Sequence, residues 1–595
     1  MANFPFAPLP GPEEMNRWDQ ATADEAGISS ALLMDNAGRA AFEVLASKFG
    51  SLAGKKILVF MGKGNNGGDG AVLARLALNA GASVLVCHLH SLPKEQVEQP
   101  GNPYNKENNL SATLLHVGLA RASGVEFHRL SSAFSDYPEP HWEYPDIVVD
   151  ALLGTGFKGN LRNEFVALVK RINFFRNLRP SNCACGCDVN TQASDAQWPG
   201  LSWPAPASGI QRTVFEPFVL SLDIPSGLCG TTGSPMPIAV AAHATITFEA
   251  PKPGLLSPAA RPYIGRMHVA PVGIPKEIKQ RYPASQALLM PDSVAVTPNP
   301  YIFEHKNMAG KVLIIGGSPG MSGAPYLAAL AAFRAGSGRV AVACPAGLES
   351  QIKTALPDML SLPLGEGPNW TEEMAEELLP TLKNWDAIVL GPGMGTSTGA
   401  EAAATAIIKC AGRPPLLADA DALNIIAKNP ELLSCLGWND LITPHPGEAA
   451  RMLGMTSREI NADRFEALKS ILKLTRASVV LKGPASLVGQ SDRVAVSPFI
   501  EPNLALAGSG DVLSGLIAAY LALDIPCFDA AAAGVYLHGM AGRLLRQKYP
   551  LRGNLPSEIA DILPKARLAL AGVPAGWVPD LNDDARKDLE SGNES

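Results

Sequence analysis

Apolar residues along the chain gather in short runs, each closed by glycine and followed by an amphipathic stretch, and this pattern occurs twice. In residues 13–48, Ala, Leu and Met recur at helical spacing, and Gly27 breaks the pattern into two helices. KKILVFM (55–61) is a strand-length run ending in a glycine loop, followed by a helix from Asp69 to Asn79 and a second strand, SVLVCHL. A strand–loop–helix–strand unit is the signature of a parallel doubly wound sheet. DIVVDALLG (146–154), FVLSLDIP (218–225) and ATITF (244–248) add strands, and GRMHVAPVGIP (265–275) closes the first half.

The stretch 276–305 is richer in Pro, Lys and polar groups, and a linker is expected at 281–300. The pattern then restarts. KVLIIGGSPG (311–320) is a strand and glycine loop, Ala324 to Arg334 an alanine-rich helix, and GRVAVACP a strand. DAIVLGPGMG (386–395), PLLADADALN (415–424), LITPHPGE (441–448) and SVVLKGPASLVG (478–489) each end a strand in a loop or turn. A glycine-rich loop leads into the apolar helix Asp511–Leu523, and a second helix covers Ala530–Leu545. The expected fold class is α/β in two domains, 1–280 and 301–572, with a polar tail at 573–595. Their glycine motifs differ in sequence and order, so the halves are two different domains fused and not a repeat.

The 595 residues suit two large domains at roughly 150 residues per smaller unit. At 47% hydrophobic and 18% charged the composition is globular. No Lys/Arg-rich run gives a nucleic-acid footprint. No apolar stretch of about 18 residues predicts a membrane span, and the N-terminal residues lack a secretory pattern. Nine scattered cysteines suit a reducing cytoplasm. Cys183, Cys185 and Cys187 lack the second pair that zinc sites use, so the Pro/Ser/Trp-rich segment 181–214 reads as an exposed insert.

Ligands of open α/β sheets sit at the carboxyl ends of strands. There the first half places GKGNNGGDG (62–70), in which glycines surround Asn65, Asn66 and Asp69. Backbone N–H groups in such a loop approach anions, helped by the next helix's N-terminus. The motif is neither G-x-G-x-x-G with its acidic partner nor a Walker loop. Asp150 ends a buried strand, which is costly unless it meets a cation or hydrogen-bond donors. Asp223 and Ser226 sit in LDIPSGL. Carboxylate, amide and hydroxyl oxygens are hard ligands, suited to alkali or alkaline-earth cations.

GKGNNGGDG, VDALLGTGFKG and LDIPSG, in that order, resemble the YjeF N-terminal domain, the NAD(P)HX epimerase, over about residues 13–275. The resemblance implies a Rossmann-like domain that interconverts the R and S hydrates of NADH and NADPH and carries a potassium ion. Asn66, Asp150 and Ser226 resemble the potassium ligands. The first motif (Asn65, Asn66, Gly67, Gly68, Asp69) and the second (Gly154, Thr155, Gly156, Phe157, Lys158, Gly159, Asn160) resemble the segments that hold phosphate and substrate. Asp223 resembles the residue at the reacting ring, where an acid–base group is needed.

In the second half, Gly508, Ser509 and Gly510 would offer N–H groups to a phosphate at a helix N-terminus, with Asp511 as base or N-cap. HKNMAGKVLIIGGSPGMSGA, VLGPGMG, DADALN, TPHPGE, VLKGPASLV and AGSGDVLSGLIAAYLA occur in one order. Together they resemble the YjeF C-terminal domain, the ribokinase-like ADP/ATP-dependent NAD(P)HX dehydratase, over about residues 295–570. The resemblance implies Mg²⁺ with ADP or ATP, small-molecule substrates and a homo-oligomer. Ala324, Gly393, His445 and Asp511 resemble hydrate-binding positions, Asp511 being also the catalytic base. Lys482, Gly483, Pro484, Ala485, Ser486 and Gly510 resemble nucleotide contacts. Two departures stand out: Leu506-Ala507 replaces the family's Thr-Gly, and His305-Lys306-Asn307 its His-Lys-Gly. The expectation is therefore a bifunctional enzyme of cofactor repair. The alternatives are a vitamin-precursor kinase, of hydroxymethylpyrimidine or hydroxyethylthiazole type, and a non-catalytic binding module.

Overall fold

The computed structural model describes residues 6–90, 111–130, 145–176, 217–297, 306, 308–550 and 552–571. The 181–214 segment with its three cysteines, the tail 573–595, and His305 and Asn307 lie outside the described residues. The chain divides into two compact units, one of residues 10–284 and one of residues 1–9 with 285–595. The first strand of the chain, β1 (Phe6–Pro8), therefore belongs to the unit formed mainly by the C-terminal half.

The unit 10–284 is built on β2 (Lys56–Met61), β3 (Ser83–His88), β4 (Glu126–Arg129), β5 (Ile147–Ala151), β6 (Phe218–Leu222), β7 (Ala244–Phe248) and β8 (Arg266–Ala270). All pair in parallel, in the order β4-β3-β2-β5-β6-β7-β8. KILVFM and IVVDA are apolar nearly throughout because helices cover both faces of the sheet's centre. Two of these helices are α1 (Pro12–Glu25) and α2 (Ser30–Phe49), which match the two expected around Gly27. The strand order reverses between β2 and β5, which opens a crevice at their carboxyl ends.

Helix α3 (Asn65–Asn79) starts four residues before the expected Asp69, so most of the glycine motif is the helix's first turns and not a loop. Packing overrides glycine's low helix propensity here. A Cβ on Gly67 would lie 2.0 Å from the Gly62 carbonyl oxygen, on Gly68 2.2 Å from Met34 Sδ, and on Gly70 2.6 Å from Ala151 Cβ. Gly70 lets the helix press onto the sheet, Gly67 onto the turn after β2 and Gly68 onto α2. Only at Gly64, with nothing within 4 Å, is the motif open.

The other unit has eleven strands in the order β1-β9-β18-β17-β16-β15-β14-β13-β10-β11-β12. They are β9 (Gln286–Leu289), β10 (Lys311–Ile315), β11 (Arg339–Pro345), β12 (Leu360–Leu364), β13 (Ala387–Leu390), β14 (Leu416–Ala418), β15 (Leu441–Ile442), β16 (Ser478–Leu481), β17 (Leu487–Gln490) and β18 (Arg493–Val496). From β16 to β12 the sheet is parallel, with a reversal of order at β13 and β10. The expected linker at 281–300 needs correcting. Gln286–Leu289 pairs with both β1 and β18, and Pro291–Val294 is a buried 3-10 turn, because QALLM and Val294 carry apolar side chains into this unit's core.

Helix α4 (Gly323–Arg334) packs on α5 (Ser509–Leu521), and α6 (Cys527–Lys548) on α7 (Pro556–Ala571). The last helix was not anticipated. α5 begins two residues before Asp511 and α6 three before Ala530, so the motif's Ser509, Gly510 and Asp511 form the first turn of a nearly all-buried helix.

Two candidate active sites

The crevice of the unit 10–284 contains a cavity of about 640 Å³. Its wall includes Asn65, Asn66 and Asp69 from α3, the segment Gly154, Thr155, Gly156, Phe157 and Lys158 with Asn160 after β5, and Asp223 after β6. Gly67, Gly68 and Gly159 do not line it, and Asp150 and Ser226 lie behind it, fully buried. Four cations, Lys63, Lys158, Arg162 and Lys252, line the same cavity, and the first three give it anion-attracting character.

Asp150 is held by four donors. Its Oδ2 accepts from Ser221 Oγ (2.9 Å) and the Ser226 amide (2.8 Å). Its Oδ1 accepts from Ser226 Oγ (2.6 Å) and the Leu152 amide (3.3 Å). Burial still outweighs these bonds and raises its carboxyl above the usual range. Beside it, the Asn66 amide donates to the Leu153 carbonyl (3.0 Å), while its buried Oδ1 has no hydrogen-bond partner. Ser226 Oγ lies 3.2 Å from that same carbonyl.

Asp223 follows β6 with φ +61°, a left-handed conformation rare outside glycine. Its amide donates to Ile246 across the sheet (2.7 Å), which fixes the bend. Oδ2 accepts from the Thr155 amide (2.9 Å), and Oδ1 meets Lys252 Nζ at 2.8 Å. A Cβ on Gly154 would stand 3.0 Å from Asp223 Oδ2, so glycine leaves the carboxylate room.

Burial alone would raise the Asp223 carboxyl. The Lys252 ammonium and the Thr155 bonds outweigh burial and hold it below the usual range. The neighbouring acids go the other way. Asp69 is pushed well above the usual range by burial and then by Asp223 and Asp19. Asp19 on α1 rises to about 6, again from burial and Asp223. The cavity thus sets a carboxyl held below the usual range beside two raised above it, the separation that acid–base chemistry uses. Sequence reasoning missed Asp19 and Lys252. Asp19 looks like any polar residue of an amphipathic helix, whereas Lys252 stands alone in the apolar run EAPKPGLL, a readable signal.

In the other unit, four strand ends and the α5 N-terminus converge. Asp419, fully buried after β14, accepts from Lys482 Nζ (2.5 Å) and Ser514 Oγ (2.6 Å). Burial would raise its carboxyl, but these partners hold it low. Glu448 lies 3.9 Å from Lys482 and is pushed up to about 7 by burial. Asp511 reaches about 8 through burial and the Asp419 charge.

A Cβ on Gly510 would sit 3.2 Å from Lys482 Nζ, so the ammonium rests against the α5 N-terminus. Lys482–Ser486 forms the tight turn between β16 and β17, with Gly483 at φ +141°, Ala485 at φ +50° and Ser486 Oγ donating to Gly483 (2.9 Å). Pro484 is exposed on it. At the reversal of strand order, a Cβ on Gly393 would lie 3.2 Å from the Ala324 Cβ, so these two expected positions adjoin.

His445 caps the helix Pro446–Leu453: Nδ1 accepts from the Gly447 amide (2.9 Å), and Glu448 accepts back from the His445 amide (2.8 Å). Leu506 packs on the core of this unit, which accounts for an apolar residue in the phosphate loop's approach. Asp419, Glu448 and Ser514 were not singled out from sequence, although all three lie inside quoted motifs.

Comparison with known proteins follows the same division. A family model described as NAD(P)H-hydrate dehydratase matches residues 312–565, and one described as YjeF-related protein N-terminus matches residues 30–254. A bifunctional NAD(P)H-hydrate repair enzyme of Moorella thermoacetica is 32% identical over 556 residues, covering 93% of this chain and 95% of its own. The enzyme of the same name from Escherichia coli is 32% identical over 559 residues, covering 93% and 92%. Among solved structures, the ADP/ATP-dependent NAD(P)H-hydrate dehydratase from Bacillus subtilis, co-crystallised with ATP/Mg²⁺, is 25% identical with a TM-score of 0.41, covering 48% of this chain and 98% of that one. With its two domains in this order and relatives matched almost end to end, the chain belongs to the family of bifunctional NAD(P)H-hydrate repair enzymes.

Proposed function

We propose that the unit 10–284 epimerises the R and S hydrates of NADH and NADPH, and that the other unit dehydrates the S hydrate to NAD(P)H at the expense of ADP or ATP. The observation that carries the first part is the cavity that gathers Asn66 and Asp69 from the helix after β2 and Asp223 from the end of β6. The hydrate carries a hydroxyl on C6, next to ring nitrogen N1. Asp223, ionised, takes the hydroxyl proton; the C6–N1 bond opens to an aldehyde, and Asp69, protonated, supplies a proton to the departing nitrogen. Rotation and reclosure by the reverse transfers give the other epimer. The Gly64–Asn65 amides, with Lys63 and Arg162 nearby, receive the dinucleotide's phosphates.

The residues present fit a potassium ion. Asn66 Oδ1 is buried without a partner, and Asp150 and Ser226 supply hard oxygens beside it. Bound there, potassium would neutralise the Asp150 charge and stiffen the 153–154 backbone.

In the other unit Asp511 takes the proton of the C6 hydroxyl as the terminal phosphoryl of the nucleotide is transferred to that oxygen. Phosphate then leaves, and loss of a C5 proton restores the ring double bond. Lys482 has one ammonium hydrogen on Asp419, and its other two can meet phosphate oxygens. Ala324, Gly393 and His445 bound the hydrate, and the 482–486 turn and Gly510 the nucleotide. No group of three or more metal-ligating side chains exists among the described residues. Glu448 and Asp511 suit magnesium held mainly by the nucleotide's phosphates.

The test is to follow restoration of NADH from mixed hydrates with Mg²⁺, K⁺ and ADP or ATP. Asp223→Asn should block use of the R epimer beyond its spontaneous rate, and Asp511→Asn should block both. An Asp223→Asn chain that consumed the R hydrate as fast as the parent would overturn the first assignment.

A further inference from the structure

Lys252 lies four residues beyond β7 and is 1% exposed, although it borders the cavity. A buried ammonium has to direct each of its three hydrogens at an oxygen. Here the oxygens are Asp223 Oδ1 (2.8 Å), Thr247 Oγ1 (2.8 Å) and the Phe248 carbonyl (2.9 Å). None is left for a substrate. Two of the three anchors belong to β7, the strand beside β6, so the ammonium is fixed to the sheet.

Asp223, in its strained left-handed turn, is therefore gripped on one oxygen by Lys252 and on the other by the Thr155 amide. The groups facing it are Asp19 on α1, Asp69 on α3 and Lys252, with Glu249 acting on Asp19. Among the described residues, Lys252 is the one cation in direct contact with it. We propose that Lys252 is a positioning residue of the epimerase site, which aims and electrostatically anchors the Asp223 carboxylate without touching substrate. Three carboxyls share one buried neighbourhood, and this cation, more than the Thr155 bonds, decides which of them ionises. The cation makes Asp223 the base and leaves Asp69 the acid.

The inference rests on Asp223 being the base, as proposed above. The experiment uses the full chain without nucleotide, following R-to-S conversion by chromatography across pH and subtracting the spontaneous rate. Lys252→Met and Lys252→Gln remove the charge, while Lys252→Arg keeps it.

In the neutral variants the acid limb of kcat/KM should move up by at least one pH unit. Their deficit against the parent then grows about tenfold for each further unit of lowered pH and shrinks toward alkaline pH. Lys252→Arg should keep the parent's limb even if its rate is lower throughout. Folded neutral variants whose limb coincides with the parent's, with one constant deficit at every pH, would overturn the proposal. So would unfolding of all three variants, which would make Lys252 a folding residue only. If Asp223→Asn epimerises at the parent's rate, the reading of Asp223 fails instead, which separates the two failures.

Discussion

Replacing Asp150 by Asn should uncouple the stability of the unit 10–284 from potassium. The carboxylate is wholly buried and accepts four hydrogen bonds, two on each oxygen. An amide has one acceptor oxygen. Placed at the Oδ2 position, it keeps Ser221 and the Ser226 amide, and its NH₂ turns toward Ser226 Oγ and the Leu152 N–H. One backbone donor loses its partner, at a cost of about 1–3 kcal/mol, partly offset because no charge is buried.

The effect on the cation is larger. Two unit charges about 3 Å apart attract by about 5 kcal/mol at an effective dielectric of about 20. After the cation's dehydration, a loss of about 3 kcal/mol corresponds to roughly 100-fold weaker binding. At a potassium concentration 100 times the parent's Kd, binding stabilises the parent by about 2.7 kcal/mol, and the variant by only about 0.4 kcal/mol. For a unit of this size that is roughly 5–10 °C against about 1 °C. Differential scanning fluorimetry in potassium chloride, with choline chloride at equal ionic strength as reference, measures both. An equal rise of melting temperature in the two proteins would refute the assignment of Asp150 to a cation site.

Four more outcomes follow from the same geometry. Asp223→Asn should lower epimerisation by about 10²–10⁴-fold, read as R-hydrate consumption above the spontaneous rate. Because Asp511 titrates near 8, dehydration kcat/KM should rise with pH and level off above that value, and Asp511→Asn should abolish the rise with the activity. Gly67→Ala, whose methyl would meet the Gly62 carbonyl at 2.0 Å, should destabilise its unit by about 3 kcal/mol or more in calorimetry. Asp19 titrates near 6 when folded and near 4 when unfolded, so its burial is free of penalty below about 4 and opposes folding progressively up to about 6. Stability should therefore fall with rising pH across that window, by about 1–2 kcal/mol after allowance for its partial exposure, and Asp19→Asn should flatten the fall in urea titrations.

The parallel cores were legible because KILVFM, IVVDA and KVLII are apolar runs too short for buried helices and end in glycine. Helix starts were less legible. At Asn65 and Ser509 local propensity argues for a loop, and the tight fit of Gly67, Gly70 and Gly515 against neighbouring backbone and side chains wins. β1 escaped notice since FAP is three residues long and forms only against β9, more than 270 residues away. In the first site, Asn65, Asn66, Asp69, Asp223 and most of 154–160 line the cavity, whereas Gly67, Gly68 and Gly159 do not and Asp150 and Ser226 lie behind it. Partners such as Asp19 and Ser514 act through tertiary contacts that local spacing does not record, while Lys252, alone in an apolar run, left a sign that could be read. The vitamin-precursor kinase alternative gives way to relatives matched across both domains.

β1 gives the chain a particular order of manufacture. Phe6–Pro8 is made well ahead of Gln286–Leu289, its strand partner among the described residues, and the two edges lie 278 positions apart. At about 5–20 residues per second, the leading strand waits roughly 15–55 s for that partner, while the whole unit 10–284 is being made and can fold in between. In topological terms the epimerase is an insertion near the start of the dehydratase. Cutting the chain once at residue 284 would remove β1 and make β9, still paired with β18, the edge strand of the sheet in its place. A separable dehydratase that keeps all eleven strands would need residues 1–9 carried over and joined ahead of residue 285.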